Sequence, residues 1–251
     1  MPFASGRITA RKATLTLLAG YLAYSYYDNR RLVKSYPSRP PTGAYYTAAL
    51  LTPRILSRYN PPSYTDVFVA RVPRRALLSA ARRHGFDDPT SLNEAWARIF
   101  LESPKLSFEA KLYGILKDRG DTGASGFYPG QVLLNGTFVV EKPPSKTEPL
   151  VISWHMPESV VGFFEALASA GYPWRVSSGG RHSIGVVEIP DSPDEVELVY
   201  GCGDEYERCN RVNGKEDGKL NFMLWTEAQK KYERRLLDDA VRQVLNEAGE
   251  K

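Results

Sequence analysis

Residues 151–189 read VISWHMPESVVGFFEALASAGYPWRVSSGGRHSIGVVEI, and this stretch is the most informative part of the chain. It contains two of the four tryptophans and two of the three histidines, together with Arg175, Arg181 and Glu188. A small-molecule pocket needs mostly apolar walls and a few placed polar groups. We therefore predict that this stretch forms one wall of a ligand-binding cavity.

The same stretch predicts a strand, a helix and a hairpin. VISWHM has the β-branched and aromatic composition of a strand. Apolar residues in ESVVGFFEALASAGY recur at helical spacing, at Val160, Phe163, Phe164, Leu167 and Ala168. Ser178, Gly179 and Gly180 separate two strand-like segments, and they predict a hairpin turn because glycine tolerates positive φ.

The remainder of residues 64–251 predicts an α+β domain. YTDVFVARVP (64–73) alternates as a strand does, and 226–249 carries the continuous apolar stripe of a long helix. Three helices are predicted between them, followed by several antiparallel strands. The helices are expected in 75–85, 91–103 and 108–116, and the further strands in 130–142, 148–156, 195–203 and 220–227.

This order of elements resembles the helix-grip fold of the START-like superfamily, which includes lipid-transport proteins and polyketide cyclases. The resemblance covers about residues 64–250 and rests on the YTDVFVARVP opening and the amphipathic ending. It implies a curved antiparallel sheet wrapped around the long C-terminal helix, with a deep apolar cavity between them. A lipocalin-like barrel and a cone-shaped fold of the nuclear-transport-factor type stay open, and a fold alone does not determine a function.

The N-terminal part divides into a basic, apolar segment (1–34) and a connector rich in Pro and Tyr (35–63). Residues 13–27 (ATLTLLAGYLAYSYY) carry no charge, but a full membrane span needs about 20 apolar residues. We expect a membrane-directed helix that anchors in or dips into the bilayer. A cleaved targeting peptide and a helix packed on the body are the alternatives.

Charge is distributed unevenly along the chain. Residues 1–63 hold nine Lys and Arg against the single acidic residue Asp28, although the net charge of the whole chain is only +4. A basic arm favours an anionic membrane surface as partner. We expect a membrane-associated protein, on an endomembrane facing the cytoplasm, or a secreted or organellar protein if the arm is cleaved. No zinc-finger, RRM or basic-zipper signature predicts nucleic-acid binding, and the oligomeric state stays open.

The sequence predicts neither a cofactor nor a metal. It contains no P-loop and no Rossmann glycine fingerprint. Cys202 and Cys209 do not have the spacing of a zinc site, and no histidine lies near them in the sequence. Whether the two cysteines are bridged is not determined by their spacing.

Three residues are the candidates for catalysis: His182, Glu188 and Arg181. A neutral imidazole can transfer a proton near pH 7, and an arginine can stabilise developing negative charge. The two-residue period of a strand puts His182 and Glu188 on one face and Arg181 on the other. If that first face is the inner one, Glu188 is a carboxylate on an apolar surface; in the opposite register it faces water.

Candidate substrate-binding residues are aromatic or can hydrogen-bond a polar group: Trp154, His155, Trp174, Arg175, Tyr200 and Trp225. Strand alternation allows at most one of Trp154 and His155 to face the cavity. Tyr200 shares a predicted strand face with Val196 and Leu198. Ordinary core packing is the competing interpretation for each of these aromatics.

These observations give three functional hypotheses. The first is a cofactor-independent cyclase or isomerase that acts on a hydrophobic, polyketide- or terpenoid-like substrate. The second is a non-catalytic lipid or isoprenoid carrier at a membrane. The third is an interaction subunit of a membrane complex. An enzyme requires at least two titratable groups to converge in the cavity, whereas a carrier requires nearly apolar walls.

Overall fold

A computed structural model describes residues 4–45, 47–56, 58–60, 62, 64–86, 92–113, 118–208 and 222–249. The side chains of residues 4–11 and of Tyr113 are outside that description, as is Cys209. The fold is α+β, as the sequence predicts: an antiparallel sheet of seven strands, which is not closed, and a long C-terminal helix.

The sheet has the order β1-β2-β7-β6-β5-β4-β3, so the long strand near the N-terminus pairs with the last strand of the chain. The central strands are long because their β-branched and aromatic residues fit a pleated surface. The edge strands β1 and β3 have two residues each. The seven strands are β1 (Ser38–Arg39), β2 (Tyr64–Pro73), β3 (Val132–Leu133), β4 (Phe138–Lys142), β5 (Leu150–His155), β6 (Gly179–Glu188) and β7 (Glu195–Glu205).

Helices cover one face of this sheet, which we call the inner face. The main core lies there, and its largest buried side chains include Phe68, Trp96, Phe100 and Tyr200. The long C-terminal helix contributes its apolar stripe to the same core, for example through Leu237. The covering helices are α3 (Arg74–Arg83), α4 (Leu92–Leu101), α5 (Pro104–Tyr113) and α7 (Met223–Glu247).

The connector covers part of the outer face of the sheet. Its short helix α2 (Ala48–Leu51) places Leu50 in a second, smaller core with Val67, Val69 and Val199. A buried carboxylate fixes the next turn of the connector: Glu205 accepts hydrogen bonds from the backbone N–H of Arg54 (2.9 Å) and from its Nε (2.7 Å). The connector is therefore part of the folded body.

Helix α1 (Ala4–Ser35) runs parallel to α7. Three contacts show this direction, because the residue numbers rise together along both helices. Lys231 donates to the Ser25 carbonyl oxygen (2.8 Å), Arg235 Nε donates to Asp28 (3.0 Å), and Arg31 donates to Asp238 (2.9 and 2.8 Å). Leu32 and Tyr36, at the end of α1, are buried in the main core.

The N-terminal half of α1 lies beyond these contacts. Every side chain from Lys12 to Tyr24 is exposed, including large apolar ones. Leu15, Leu18 and Leu22 share one face of the helix by their spacing. None of the helices in the described part of the chain is both long and apolar enough to cross a membrane.

Two local predictions are wrong. Residues 178–180 do not form a hairpin; Gly179 and Gly180 are the first residues of β6, and they pair with His155 and Trp154 of β5. The segment before β6 is an irregular connection that leads from α6 (Glu158–Ser169). The sequence predicts helix α6 correctly. The strand predicted for 220–227 is also wrong over 223–227, since Met223 begins α7, and residues 220 and 221 lie outside the described residues. Residues 223–227 contain no glycine or proline, so the backbone there is free to form the first turn of the helix.

Candidate functional site

An apolar cavity of about 310 Å³ opens between the end of β5 and the first turns of α7. The strand side contributes Trp154, with Met156 and Ser177 beside it. The helix side contributes Trp225, Ala228, Gln229 and Tyr232. The cavity thus has two tryptophan walls and few polar groups, and its volume is at the lower end of the range for small-molecule sites.

Trp154 fits into this cavity because the strand next to it has no side chain at the facing position. Trp154 pairs with Gly180 across the β5–β6 ladder. A Cβ atom at Gly180 would lie 2.8 Å from Trp154 Nε1 and 2.5 Å from the Gly203 carbonyl oxygen. The glycine that suggests a turn in the sequence instead makes room for an indole ring.

The sheet register brings a set of polar side chains to the same end of the inner face. Tyr64 of β2 pairs with Asp204 of β7, which pairs with Gly180 beside Trp154. In the next row Asp66 pairs with Cys202, and Cys202 pairs with His182. Alternation places all of these side chains on the face that carries Phe68 and Tyr200.

Helix α7 completes a cluster of three carboxyl groups, of which Asp204 and Glu233 are buried and Asp66 is partly exposed. Gln229, which also lines the cavity, donates from Nε2 to both carboxylate oxygens of Asp204, at 3.0 and 2.9 Å. One helical turn further along, Glu233 is only 2 % exposed, and its oxygens make no hydrogen bond of good geometry among the described residues, although Cys202 and Gln229 lie near them. Burial raises the pKa of Glu233 to about 8 and that of Asp204 to about 6.

Other polar groups surround this carboxyl cluster. Burial, followed by the nearby Glu233 carboxyl, raises the pKa of both the Tyr64 hydroxyl and the Cys202 thiol well above their usual values. The buried Tyr64 hydroxyl makes no hydrogen bond of good geometry within the described chain, and Asp66 is the carboxyl group beside it. Lys230 Nζ lies 3.6 Å from Asp66 Oδ2 and 4.9 Å from the centre of the Tyr64 ring.

His182 lies on the inner face but is held in an aromatic stack. Its ring is parallel to that of Tyr200 (centroids 5.4 Å apart) and meets Phe138 edge-on (5.5 Å). His182 Nδ1 and the Tyr200 hydroxyl share a hydrogen bond of 2.9 Å. Burial lowers the pKa of His182 to about 4, so the ring is neutral at pH 7. His182 and Tyr200 are therefore close together, next to Cys202 and behind the cavity wall.

The structure does not bring the other predicted catalytic residues to His182. Glu188 shares the parity of His182 but lies at the opposite end of β6, where its side chain is 70 % exposed and accepts a hydrogen bond from Arg74 (2.9 Å). Arg181 is on the outer face, as alternation requires, and there it pairs with Glu205 (3.1 Å) beneath the connector. These three residues therefore do not come together: Glu188 is exposed at the far end of β6, and Arg181 lies on the outer face, as alternation predicts.

The candidate binding residues divide in the same way. Trp154 and Trp225 line the cavity, whereas His155 is exposed on the opposite face of β5. Trp174 lies outside the cavity wall, with its ring 4.5 Å from that of Phe222. The buried Arg175 donates to Glu165 (2.6 Å) and to the Glu207 carbonyl oxygen (2.7 Å), so it ties α6 to the end of β7.

The sequence contains a signal for the carboxyl cluster that composition alone does not reveal. Gln229 and Glu233 are spaced four apart and lead into Leu237 of the apolar stripe, so they belong to the buried face of α7. Asp66 and Asp204 likewise have the parity of Phe68 and Tyr200 on their strands. A charged residue within an apolar pattern is therefore the signal for the site.

Within the described chain, no group of three or more His, Cys, Asp or Glu side chains has an arrangement that could hold a metal ion. Comparisons of the sequence with protein-family models and with curated proteins, and of the structure with solved structures, gave no match.

Proposed function

We propose that this protein binds a hydrophobic small molecule and does so at a membrane surface. The observation that carries the proposal is the apolar cavity between Trp154 and Trp225. The walls of the cavity are aromatic and aliphatic. Such walls bind an apolar molecule without fixing its orientation strongly. Such walls favour a carrier over the cyclase or isomerase that His182 and Glu188 suggest in the sequence.

The order of the elements supports the same proposal. The long first strand of the sheet (β2) pairs with the last strand (β7), and α7 packs on the inner face. This arrangement resembles the helix-grip fold, in which a sheet is wrapped around the last helix and a cavity lies between them. The cavity of this protein lies beside α7, and the resemblance implies a cavity between the sheet and that helix.

Helix α1 supports the membrane part of the proposal. Its exposed half carries Leu15, Leu18 and Leu22 on one face, and basic residues flank it at Lys12 and Arg30. Apolar side chains between basic residues suit the boundary between acyl chains and anionic headgroups. An endomembrane that faces the cytoplasm is the location we propose.

A neutral fluorescent probe tests the cavity. N-phenyl-1-naphthylamine should bind the full chain and gain fluorescence, because the cavity shields it from water. Ala228→Phe places a ring in the cavity and should weaken this binding at least tenfold. Ala166→Phe, the same change at an exposed position of α6, should leave it unchanged. Equal binding by the Ala228→Phe variant and the wild type would show that the probe binds elsewhere.

Vesicles test the membrane part. The full chain should sediment with vesicles of phosphatidylcholine and phosphatidylserine, and the double variant Leu18→Glu, Leu22→Glu should stay in the supernatant. Phe163→Glu, which changes an equally exposed apolar side chain on α6, is the matched control. If the double variant sediments as the wild type does, α1 is not the membrane-binding element.

A catalytic role is the second candidate, and the carboxyl cluster favours it. With a pKa of about 8, Glu233 is a neutral carboxylic acid at pH 7, close to the ionisable Asp204. Such a pair can donate and accept protons. Protein incubated with its co-purified ligand in deuterium oxide should introduce deuterium into the ligand, and Glu233→Gln should abolish this exchange while binding persists. Exchange at the wild-type rate in Glu233→Gln would exclude Glu233 as the acid.

A further inference from the structure

The carboxyl cluster holds more unpaired hydrogen-bonding capacity than a folded protein normally buries. Both Glu233 oxygens and the Tyr64 hydroxyl are buried and make no hydrogen bond of good geometry among the described residues, although Cys202 and Gln229 lie near Glu233 and Asp66 lies near Tyr64. Buried polar groups without good hydrogen bonds are rare in native proteins, and each has a cause such as a catalytic role, a bound ion or an ordered water. Their concentration next to an apolar cavity indicates that they meet part of a ligand.

The charge of the cluster indicates what kind of group this is. Three carboxyl groups face one another, and Lys230 is the only basic residue in the described chain that pairs with any of them. Arg234 is adjacent in sequence, but its guanidinium covers the Phe68 ring (4.4 Å) and its Nε donates to the Tyr36 carbonyl oxygen. The cluster is therefore rich in acceptors, and Lys230 alone balances its negative charge among the described residues.

Gln229 marks the position where a donor from the cavity binds. Its amide lines the cavity on one side, and it donates to both oxygens of Asp204 on the other. An ammonium group has three donors. If it replaced the Gln229 amide on Asp204, it could direct a further hydrogen bond towards Glu233, one turn deeper on the same face of α7.

We propose that the ligand is an amphiphile with an apolar chain and a terminal amine, whose ammonium group binds the carboxyl groups of Asp204 and Glu233 while its chain lies between Trp154 and Trp225. This inference rests on the proposed function, because it assigns the ligand class of the same cavity. It adds a polar end to a site whose walls alone select only for apolar surface.

Protonation supports the assignment. Burial keeps Glu233 neutral at pH 7 because its pKa is about 8. An ammonium group alongside would favour the charged carboxylate, so binding should release a proton from Glu233 at pH 7. An alcohol of the same chain length has no charge and should release none.

Three ten-carbon probes test the proposal on the full chain: decylamine, decanol and decanoate. Decylamine should bind at least tenfold more tightly than decanol, since hydrogen bonds to charged groups contribute about 1.5–3 kcal/mol, and decanoate should bind most weakly. Calorimetry in two buffers of different ionisation enthalpy should detect proton release with decylamine alone.

Variants locate the effect. Glu233→Gln and Asp204→Asn should each reduce the preference for decylamine over decanol, and proton release should disappear in Glu233→Gln. Glu227→Gln removes a carboxylate from the same helix, but its side chain is 63 % exposed, so the preference should persist. Equal binding of decylamine and decanol by the wild type, or equal loss in Glu227→Gln, would overturn the amine assignment.

The two proposals fail in different ways. If decanol and N-phenyl-1-naphthylamine bind the wild type but decylamine has no advantage, the cavity binds apolar molecules and only the amine assignment is wrong. If none of the probes binds the wild type, the proposed function fails and the amine assignment fails with it.

Discussion

Replacing Glu233 with glutamine should remove a pH dependence of stability that the wild-type protein carries. Folding raises the pKa of Glu233 from its usual 4.5 to about 8, because the carboxyl is buried between the sheet and α7. Between these two values the folded protein keeps a proton that the unfolded chain has released. Stability is therefore greatest below about pH 4.5, falls as the pH rises, and the loss is complete above about pH 8.

The expected size follows from the shift in pKa. One proton held only by the folded state gives a slope of about 1.4 kcal/mol per pH unit. Between pH 5 and pH 7 this amounts to about 2–3 kcal/mol. For a chain of this length, such a change corresponds to roughly 5–10 °C in melting temperature. Glutamine is close in shape to the neutral acid but cannot ionise, so the stability of Glu233→Gln should not show this contribution to the pH dependence.

Urea unfolding followed by tryptophan fluorescence at pH 5, 6, 7 and 8 measures the effect. The free energies of unfolding of wild type and Glu233→Gln should differ least at pH 5. At each higher pH the variant should become more stable relative to the wild type. Asp204 (pKa about 6) and His182 (pKa about 4) also titrate, but they are present in both proteins, and the difference isolates Glu233. Glu227→Gln is the control and should follow the wild type.

Parallel curves for wild type and Glu233→Gln would refute the reasoning. They would mean that the carboxyl is already ionised in the folded protein at pH 7, paired or solvated in a way that its surroundings do not suggest. The catalytic role and the proton release on amine binding would then both lose their basis.

Three further substitutions test other parts of the fold. Gly180→Ala should lower the free energy of unfolding by about 1–3 kcal/mol and shift the fluorescence of Trp154, because the added Cβ would lie 2.8 Å from the indole nitrogen. Gly162→Ala, with open space around it, should not destabilise the protein. Equal destabilisation by the two substitutions would contradict the packing argument. Asp238→Asn should cost about 1–3 kcal/mol and expose α1 to trypsin, since Asp238 accepts from Arg31 and from Tyr36 (2.7 Å); an unchanged digestion pattern would show that other contacts hold α1. As the pH falls from 6.5 to 4, the unfolded chain gains a proton at His182 that the folded protein does not, so the wild type loses stability and His182→Gln should lose less. An unchanged pH dependence of the free energy of unfolding, measured with urea, would contradict the lowered pKa of His182.

Periodicity predicts most of the fold because it follows from local geometry. The alternation in 64–73 gives β2, and the stripe from Tyr232 to Leu245 gives α7. Alternation also separates Trp154 from His155 and Arg181 from His182 correctly. The glycines at 179 and 180 mislead because glycine serves two purposes: it permits a turn, and it also leaves room for a neighbour. Only the pairing with Trp154, a long-range contact, determines which purpose applies.

The site is less predictable for the same reason. Trp154 and Trp225 are distant in sequence, and they meet only because β5 ends where α7 begins. Glu188 is a plausible catalytic residue by parity, but parity does not give its position along the strand. Glu233 stands out only once α7 has a buried face, because its neighbours in sequence are charged as well. Residues of this kind become recognisable when each strand or helix is assigned an inner side.

The two short edges of the sheet have a consequence for self-association. A long exposed edge strand offers a row of free N–H and C=O groups that another chain can pair with, and this is a common route to aggregation. The β3 edge provides little such template, but β1 pairs only with Val67 and Phe68, so most of the outer edge of the ten-residue β2 has no neighbouring strand among the described residues. We therefore expect any assembly that extends the sheet from one copy to the next to pair along β2, and any other assembly to form through side chains on α1 or around the cavity rim.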